Sequence, residues 1–343
     1  MEEVPHLDVT VVEGDFKTGG LKILRSVRPD WSPSDVVFKV FTDGITNTLF
    51  GCSIESNTSD MVLIRSYGKN TELLIDRKAE TKNFKLLHKW GYAPMLYATF
   101  NNGLAYEFVP GVTLDENTVK DPAIFPLVAA MLARFHAIPV GTEKKPILWT
   151  KLRKYLSLIP SFYTQPKKRT RFEELFPNGR QSLENEINYL QKSLEDVDDL
   201  KTVFCHNDLL LSNIIHSDGK VHFIDYEYAD CNYQAFDIGN HFTEFAGVNN
   251  IDFSRIPDKD FQVRWLKLYL NELRVCTGDK TEITPEEVDC LYEKVNKFIL
   301  VGHIFWITWA LVQAEISELD FDFIEYASLK MGDYYSRKPA ILP

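Results

Sequence analysis

One stretch, residues 202–241, constrains the fold of this chain more than any other. It holds Asp208 in the run Cys-His-Asn-Asp-Leu-Leu-Leu-Ser-Asn, which ends at Asn213. Two short apolar segments follow, and Asp218-Gly219 between them is a strong signal for a tight hairpin turn. The second segment delivers Asp225, which a hairpin would return to the neighbourhood of Asn213 and Asp208. The sequence therefore predicts three oxygen-bearing side chains in one place.

These three side chains suit the transfer of a phosphoryl group to a hydroxyl. Asn213 and Asp225 are predicted ligands of Mg²⁺, because hard oxygen donors hold the ion that bridges nucleotide phosphates. Asp208 is predicted to accept the proton of the attacking hydroxyl. Taken singly, each residue is better explained as a turn former or a strand-end carboxylate; the ordered set with a hairpin between them favours the chemical interpretation.

Protein kinases order their catalytic residues in the same way, with two differences here. Asn207 stands where they carry Arg, and Tyr226-Glu227 follows Asp225 in place of Phe-Gly. The missing Arg removes the usual partner of a phosphorylated activation loop. We therefore predict a kinase of small molecules that lacks this switch.

The composition limits the kinds of molecule that this chain is expected to bind. Forty-nine acidic residues against 38 basic ones give a net charge of −11, which argues against nucleic acid or an anionic membrane surface and favours a cationic substrate. Five cysteines without a CxxC pair suggest neither a disulfide framework nor a zinc site. The first thirty residues lack the apolar run of a secretory signal. The longest apolar stretch, residues 298–312, is shorter than the ~20 residues of a membrane span, so we predict a buried helix and a cytoplasmic protein.

The motifs of the central stretch also carry a family resemblance. They are His206-Asn207-Asp208 with Asn213, Ile224-Asp225-Tyr226-Glu227-Tyr228, Asn232, Phe236-Asp237-Ile238-Gly239-Asn240-His241-Phe242 and Glu244. This set resembles the signature of the choline/ethanolamine kinases, and the likeness runs from about residue 36 to 335. Phe245-Ala246-Gly247-Val248 looks like the ethanolamine branch, because choline kinases usually have Trp at the position of Phe245.

The resemblance implies an activity and its cofactors. It implies ATP- and Mg²⁺-dependent phosphorylation of ethanolamine to phosphoethanolamine, the first step of phosphatidylethanolamine synthesis by the CDP-ethanolamine route. A choline kinase or a dual choline/ethanolamine kinase is the nearest alternative. An inactive kinase-like binding module is a further alternative, but the metal-binding and base positions are all filled by suitable residues. An aminoglycoside-type phosphotransferase is another, but such enzymes lack the aromatic helix pair described below. The oligomeric state stays open, a homodimer included.

The predicted fold is an α/β (α+β), protein-kinase-like fold with two lobes. Residues 1–107 would form the nucleotide-binding lobe, an antiparallel sheet with one helix, and residues 108–343 a mainly helical catalytic and amine-binding lobe. Pro110-Gly111 after a strand marks the hinge between them. The resemblance places the adenine at this hinge, so Glu107 and Val109 are predicted nucleotide contacts.

Further nucleotide contacts are predicted in the first lobe. Asp43-Gly44 reads by itself as a plain hairpin turn, but the resemblance makes Gly44, Thr46 and Asn47 part of a loop whose amides cover phosphates. Arg65 ends a strand, as the phosphate-binding Lys of a protein kinase does, and the resemblance implies that it clamps the phosphates, paired with Glu80 on the next helix. The alternative for this pair is a surface Arg and a solvated Glu.

A second constellation is predicted to bind the amine. Trp306 and Trp309 lie three residues apart and so on one helix face; by pattern alone they are core residues. The resemblance makes them, with Tyr326, the rings that surround the substrate cation. Tyr228 would line the same pocket, and Glu244 would accept the N–H donors that a primary ammonium cannot leave unpaired.

Four expectations concern supporting structure. Asp237 should hold the catalytic loop through backbone amides, and His136 should be a structural histidine. Residues 160–180, with Lys167-Lys168-Arg169, should be a solvated loop. The first thirty residues carry no clear element.

Overall fold

The computed structural model describes residues 3–41, 47–141 and 145–342. The chain separates into two compact units, Met1–Gly111 and Val112–Pro343. Glu107 is the last residue of a strand, and Gly111 has a φ of 144°. Positive φ is a conformation that glycine adopts at little cost.

The N-terminal unit is built on a six-stranded sheet in the order β1-β5-β6-β4-β3-β2. Its strands are β1 His6–Leu7, β2 Val36–Phe41, β3 Asn47–Ile54, β4 Asn57–Tyr67, β5 Leu96–Phe100 and β6 Gly103–Glu107. Neighbouring strands are antiparallel except for β1, which pairs with β5 in parallel. The predicted antiparallel sheet is confirmed. Strand β1 was not predicted, because two residues are too short to show a strand pattern.

A helix in the first thirty residues packs on this sheet. Helix α1, Phe16–Val27, begins where Asp15 accepts a hydrogen bond from the Thr18 N–H, and it buries Ile23 and Leu24 in the core of the sheet. Two central glycines conceal the helix in the sequence, because glycine is a poor helix former. Gly19 is nevertheless required, since a Cβ there would come within 2.9 Å of Val11 Cγ2.

Helix α2, Arg77–Lys89, lies between β4 and β5 in the chain. Asp76 caps it by accepting hydrogen bonds from the N–H groups of Lys78 and Ala79, both at 3.0 Å. Its buried face comprises Glu80, Asn83, Phe84 and Leu87, the spacing of one helix face. Glu80 is thus directed inward rather than toward solvent.

The C-terminal unit is mainly helical. Its helices are α3 Phe125–His136, α4 Leu148–Leu158, α5 Pro166–Leu175, α6 Arg180–Glu195, α7 Gln234–Thr243, α8 Lys259–Thr277, α9 Pro285–Ile316 and α10 Phe323–Ile341. Two small sheets, β10-β9-β7 and β11-β8, carry the loops between them. Their strands are β7 Val112–Thr113, β8 Thr202–Cys205, β9 Ile214–Ser217, β10 Lys220–Phe223 and β11 Asp230–Tyr233.

Helix α9 forms the centre of this unit and packs against α7, α8 and α10. It extends well beyond the predicted apolar segment, to 32 residues. By length and composition it passes the test for a membrane span, but 89% of its most apolar window is buried within the protein. The core helix of a folded domain has the same composition, which agrees with the predicted buried helix.

The expectation of a solvated loop at residues 160–180 is wrong, because α5 lies within this segment. Lys168 Nζ donates to the Ala314 carbonyl near the end of α9, and the Arg169 guanidinium donates to the Tyr163 carbonyl. Phe172 is buried. Lys168 therefore binds a carbonyl that the last turn of α9 leaves without a helical partner, and Arg169 binds a carbonyl of the segment before α5. The charge of the basic run alone does not reveal these roles.

Candidate active site

The predicted hairpin is confirmed and places Asp225 beside Asn213. Strands β9 and β10 pair with Phe223 opposite Ile214, and the Ile224 N–H donates to the Asn213 carbonyl at 2.9 Å. Asp218 and Gly219 both have positive φ, 50° and 70°, as a two-residue type I′ turn requires. The second strand ends at Phe223, one residue earlier than predicted.

Asn213 is also bonded to the residue predicted as the base. Its side-chain Nδ2 donates to the backbone carbonyl of Asp208 at 2.9 Å, so its Oδ1 is turned away from that carbonyl. Both side chains are buried. Asp225 is half-buried and has a φ of 62°, a conformation that Asp tolerates better than most residues. The structure thus brings Asp208, Asn213 and Asp225 together as a local unit.

Asp237 holds the catalytic loop as predicted. Its two carboxylate oxygens accept the N–H groups of His206 and Asn207, at 2.8 and 2.7 Å. His136 bonds the same carboxylate through Nε2 at 3.0 Å and the Tyr269 hydroxyl through Nδ1 at 2.6 Å, so it is structural. Burial alone would raise the pKa of Asp237, but these hydrogen bonds and the two histidines lower it. The carboxylate therefore stays ionised.

Asn207 is a central residue of this loop to which the sequence analysis gave no role. It has a φ of 65°; its Nδ2 donates to the Tyr228 carbonyl at 3.0 Å, and its Oδ1 accepts from Asn232 at 2.8 Å. Asn240 on α7 donates to its backbone carbonyl. At the position of the protein-kinase Arg, this chain thus has a residue that ties the loop to neighbouring backbone.

Asp208 lies in a strongly acidic environment. Burial, and then the charges of Asp225, Glu244 and Glu227, raise its pKa well above the usual range. Lys151 on α4 opposes this shift. The Lys151 ammonium lies 4.9 Å from the centre of the Tyr228 ring, and burial lowers its pKa to about 8. The sequence analysis missed Lys151, since one more Lys among the charged residues of α4 gives no signal.

The predicted aromatic residues form a cluster beside this loop. Trp309 Nε1 donates to the Tyr228 hydroxyl at 2.9 Å, and Trp306 Nε1 donates to Asn240 Oδ1 at 2.6 Å. The two indoles meet edge to face with ring centres 5.4 Å apart, and Tyr228 meets Trp306 at 5.6 Å. Protein acceptors therefore satisfy both indole N–H groups, so a ligand beside them would meet the rings and not a free N–H donor.

Tyr326 and Glu244 belong to the same neighbourhood. Both are buried. Burial, and then the charges of Glu244 and Asp208, raise the pKa of Tyr326. Lys330, one turn along α10 from Tyr326, places its Nζ 3.5 Å from Glu244 Oε1. The sequence analysis did not name this lysine, because nothing local to α10 shows what it faces.

In the N-terminal unit, the predicted ion pair of Arg65 and Glu80 is present, with both side chains buried. Arg77 is a second cation on the same carboxylate, 3.0 Å from Glu80 Oε2. It also donates to Asn47 Oδ1 at 3.3 Å and lies over the Tyr67 ring at 3.9 Å. One buried glutamate thus orients two guanidinium groups, of which the sequence identified one.

The other predicted nucleotide-binding residues make fewer contacts within the protein. Glu107 Oε2 accepts the N–H of Met95 at 3.0 Å at the end of β6, and Val109 is half-buried in the segment that follows. Gly44 and Thr46 lie outside the described residues. Their contact with a nucleotide stays a prediction, as does that of Asn47.

Comparison with known proteins gives a consistent result. A sequence model of the choline/ethanolamine kinase family matches residues 38–335. Ethanolamine kinase 1 of Homo sapiens is 45% identical over 99% of this chain and 76% of its own length. Among solved structures, an ethanolamine kinase of Plasmodium vivax has a TM-score of 0.81 at 27% identity, covering 94% of this chain and 89% of its own. A choline kinase of Cryptosporidium parvum has a TM-score of 0.77 at 25% identity, with coverages of 94% and 97%.

Proposed function

Because this chain belongs to the choline/ethanolamine kinase family, we propose that it transfers the γ-phosphoryl group of ATP to the hydroxyl of ethanolamine. The product is phosphoethanolamine. The reaction is the first step of phosphatidylethanolamine synthesis by the CDP-ethanolamine route and takes place in the cytoplasm. The observation that carries the proposal is the unit of Asp208, Asn213 and Asp225, held together by the Asn213 hydrogen bond and the β9–β10 hairpin.

Asp208 accepts the proton of the attacking hydroxyl. Its burial among other carboxylates raises its pKa, which makes it a stronger base than a solvated Asp. A proton acceptor whose pKa lies nearer the working pH is the more effective general base. The Asp237 hydrogen bonds to the preceding amides fix the position of this carboxylate, and a fixed position is the larger part of what a kinase active site supplies.

Asn213 Oδ1 and the Asp225 carboxylate would hold Mg²⁺. Both are hard oxygen donors of the kind that this ion prefers. Negative charge accumulates here, because the carboxylates of Asp225, Glu244 and Glu227 lie close enough to Asp208 to raise its pKa. A bound divalent cation would offset this charge. When bound, the ion neutralises charge on the phosphates of ATP.

In the N-terminal unit, Arg65 clamps the phosphates and Glu80 holds its guanidinium. Asn47, at the start of β3, contacts them together with Gly44 and Thr46. The backbone around Glu107 and Val109 meets the adenine. The buried Arg65–Glu80 pair supports the role of Arg65, because the pair holds the guanidinium in one position.

The amine site comprises Tyr228, Trp306, Trp309, Tyr326 and Glu244. The ring faces attract the cation, a contribution of about 0.5 to 2 kcal/mol per ring. Glu244 supplies the acceptor that the N–H donors of a primary ammonium need. The preference for ethanolamine over choline follows the likeness of Phe245-Ala246-Gly247-Val248 to the ethanolamine branch.

A direct assay tests the proposal. The purified protein, supplied with ATP and Mg²⁺, should release ADP with ethanolamine, and faster than with choline at the same concentration. A preference for choline would reassign the chain to a choline kinase, and no turnover of either alcohol would refute the proposal.

A further inference from the structure

The inference concerns Lys330, whose side chain is only 4% exposed. Lysine is rarely buried unless its charge is paired. The Lys330 ammonium lies 3.5 Å from Glu244 Oε1 and 5.1 Å from the centre of the Tyr326 ring. Its two neighbours are therefore a carboxylate and a ring already assigned to the amine site.

Glu244 is engaged at one oxygen. The Thr243 hydroxyl lies 3.3 Å from Oε1, the same atom that faces Lys330. Within the described part of the chain, no hydrogen bond or ion pair is found for Oε2. A carboxylate has lone pairs for about four hydrogen bonds, so Oε2 retains its capacity to accept from a ligand.

The surrounding charges identify Lys330 as the cation on Glu244. Asp208 is coupled to Glu244 and adds negative charge. His303 on α9 lies 2.9 Å from Asp333. Burial lowers the pKa of His303 to about 4; the charges of Lys330 and Arg337 lower it further, and the hydrogen bond to Asp333 opposes the shift. His303 is thus neutral at physiological pH. Arg337 is bonded to Asp333 and the Phe253 carbonyl.

We propose that Lys330 is a positioning residue of the amine site. Its ammonium pairs with Glu244 at Oε1, so that Oε2 is left to accept from the ammonium of the substrate. The proposal rests on the proposed function. It assigns to α10 a second contribution to amine recognition, beyond the Tyr326 ring.

The first experiment measures steady-state kinetics of Lys330→Met and Lys330→Arg in the full chain. With Lys330→Met, KM for ethanolamine should rise tenfold or more, while kcat changes less than threefold and KM for ATP is unchanged. Lys330→Arg, which restores the charge, should return KM for ethanolamine to within threefold of wild type. An unchanged KM in the Met variant would overturn the proposal.

The Arg variant separates a charge effect from packing, because it restores a cation in a side chain of different shape. A KM for ethanolamine in Lys330→Arg as high as in Lys330→Met would mean that Lys330 only fills space.

A double-mutant comparison covers the case in which Lys330→Met does not fold. Glu244→Gln with Lys330→Met removes both charges and leaves no buried carboxylate unpaired. Its KM for ethanolamine should equal that of Glu244→Gln alone, whereas a further fivefold rise would show that Lys330 acts independently of Glu244. Lys338→Met, which removes the ion pair of α10 with Glu186, is the matched control with wild-type kinetics. Wild-type protein that does not phosphorylate ethanolamine would refute the proposed function instead.

Discussion

The carboxylate of Asp237 accepts a hydrogen bond of 2.7 Å from the backbone N–H of Asn207, the residue before the proposed base. The same carboxylate accepts the N–H of His206 and is oriented by His136. A fully buried anion thus determines the backbone course of the catalytic loop, and the position of Asp208 depends on a residue of α7 that does not take part in the chemistry.

Asp237→Asn should therefore reduce both activity and stability. An amide has one oxygen in place of two, so at least one loop N–H loses its charged acceptor, and breaking a buried ionic interaction costs about 3 kcal/mol. We expect a lower Tm and a fall in kcat of tenfold or more, measured by thermal melting and ADP release. Asp260→Asn, on the exposed face of α8, is the control. Wild-type kcat in Asp237→Asn would contradict the role of this carboxylate.

Asp208→Asn should separate activity from stability. It removes the general base, a contribution of about 10²- to 10⁴-fold, while the carbonyl that accepts from Asn213 is kept. It also removes one charge from a repulsive cluster, so Tm should stay the same or rise. The measurements are kcat and thermal melting, with the exposed Asp279→Asn as control. Activity largely retained in Asp208→Asn would exclude Asp208 as the base.

Glu80→Gln tests the nucleotide side. Arg65 and Arg77 would lose their shared counter-ion, so we expect KM for ATP to rise at least tenfold, with KM for ethanolamine unchanged. Loss of a buried ion-pair partner should also cost about 3 kcal/mol of stability. Glu72→Gln, in an exposed position before α2, provides the comparison. An unaltered KM for ATP would mean that the pair has only a structural role.

Acid should destabilise the protein through His241. Burial lowers its pKa to about 4, whereas in the unfolded chain it titrates near 6.5, so the unfolded state binds more protons between these values. The contribution of His241 to the free energy of unfolding is therefore fully present above pH 6.5 and decreases as the pH falls. At pH 5 the loss from this residue is about 2 kcal/mol. Urea unfolding at several pH values measures the slope.

His241→Gln provides the check on this assignment. It should flatten the slope between pH 6.5 and 4, although it costs stability at pH 7 because His241 Nδ1 bonds the Leu209 carbonyl. Identical slopes in wild type and His241→Gln would contradict the assignment.

The sequence by itself determined the features that depend on local geometry. Asp218-Gly219 requires a turn with positive φ, and this turn alone sets the pairing that brings Asp225 to Asn213. The spacing of Asp208 and Asn213 similarly allows the hydrogen bond between them. The sheet of the N-terminal unit and the Arg65–Glu80 pair follow from alternation and from a motif resemblance.

Tertiary structure decided what depends on partners distant in the chain. Helix α1 is visible only through the core it covers, since its glycines argue against a helix, and α5 only through the carbonyls that its basic residues bind. Lys330 appears as one more charged residue until α10 packs beside Glu244. Whether a charge is solvated or buried against an opposite charge depends on which elements pack together, and local sequence does not contain that information.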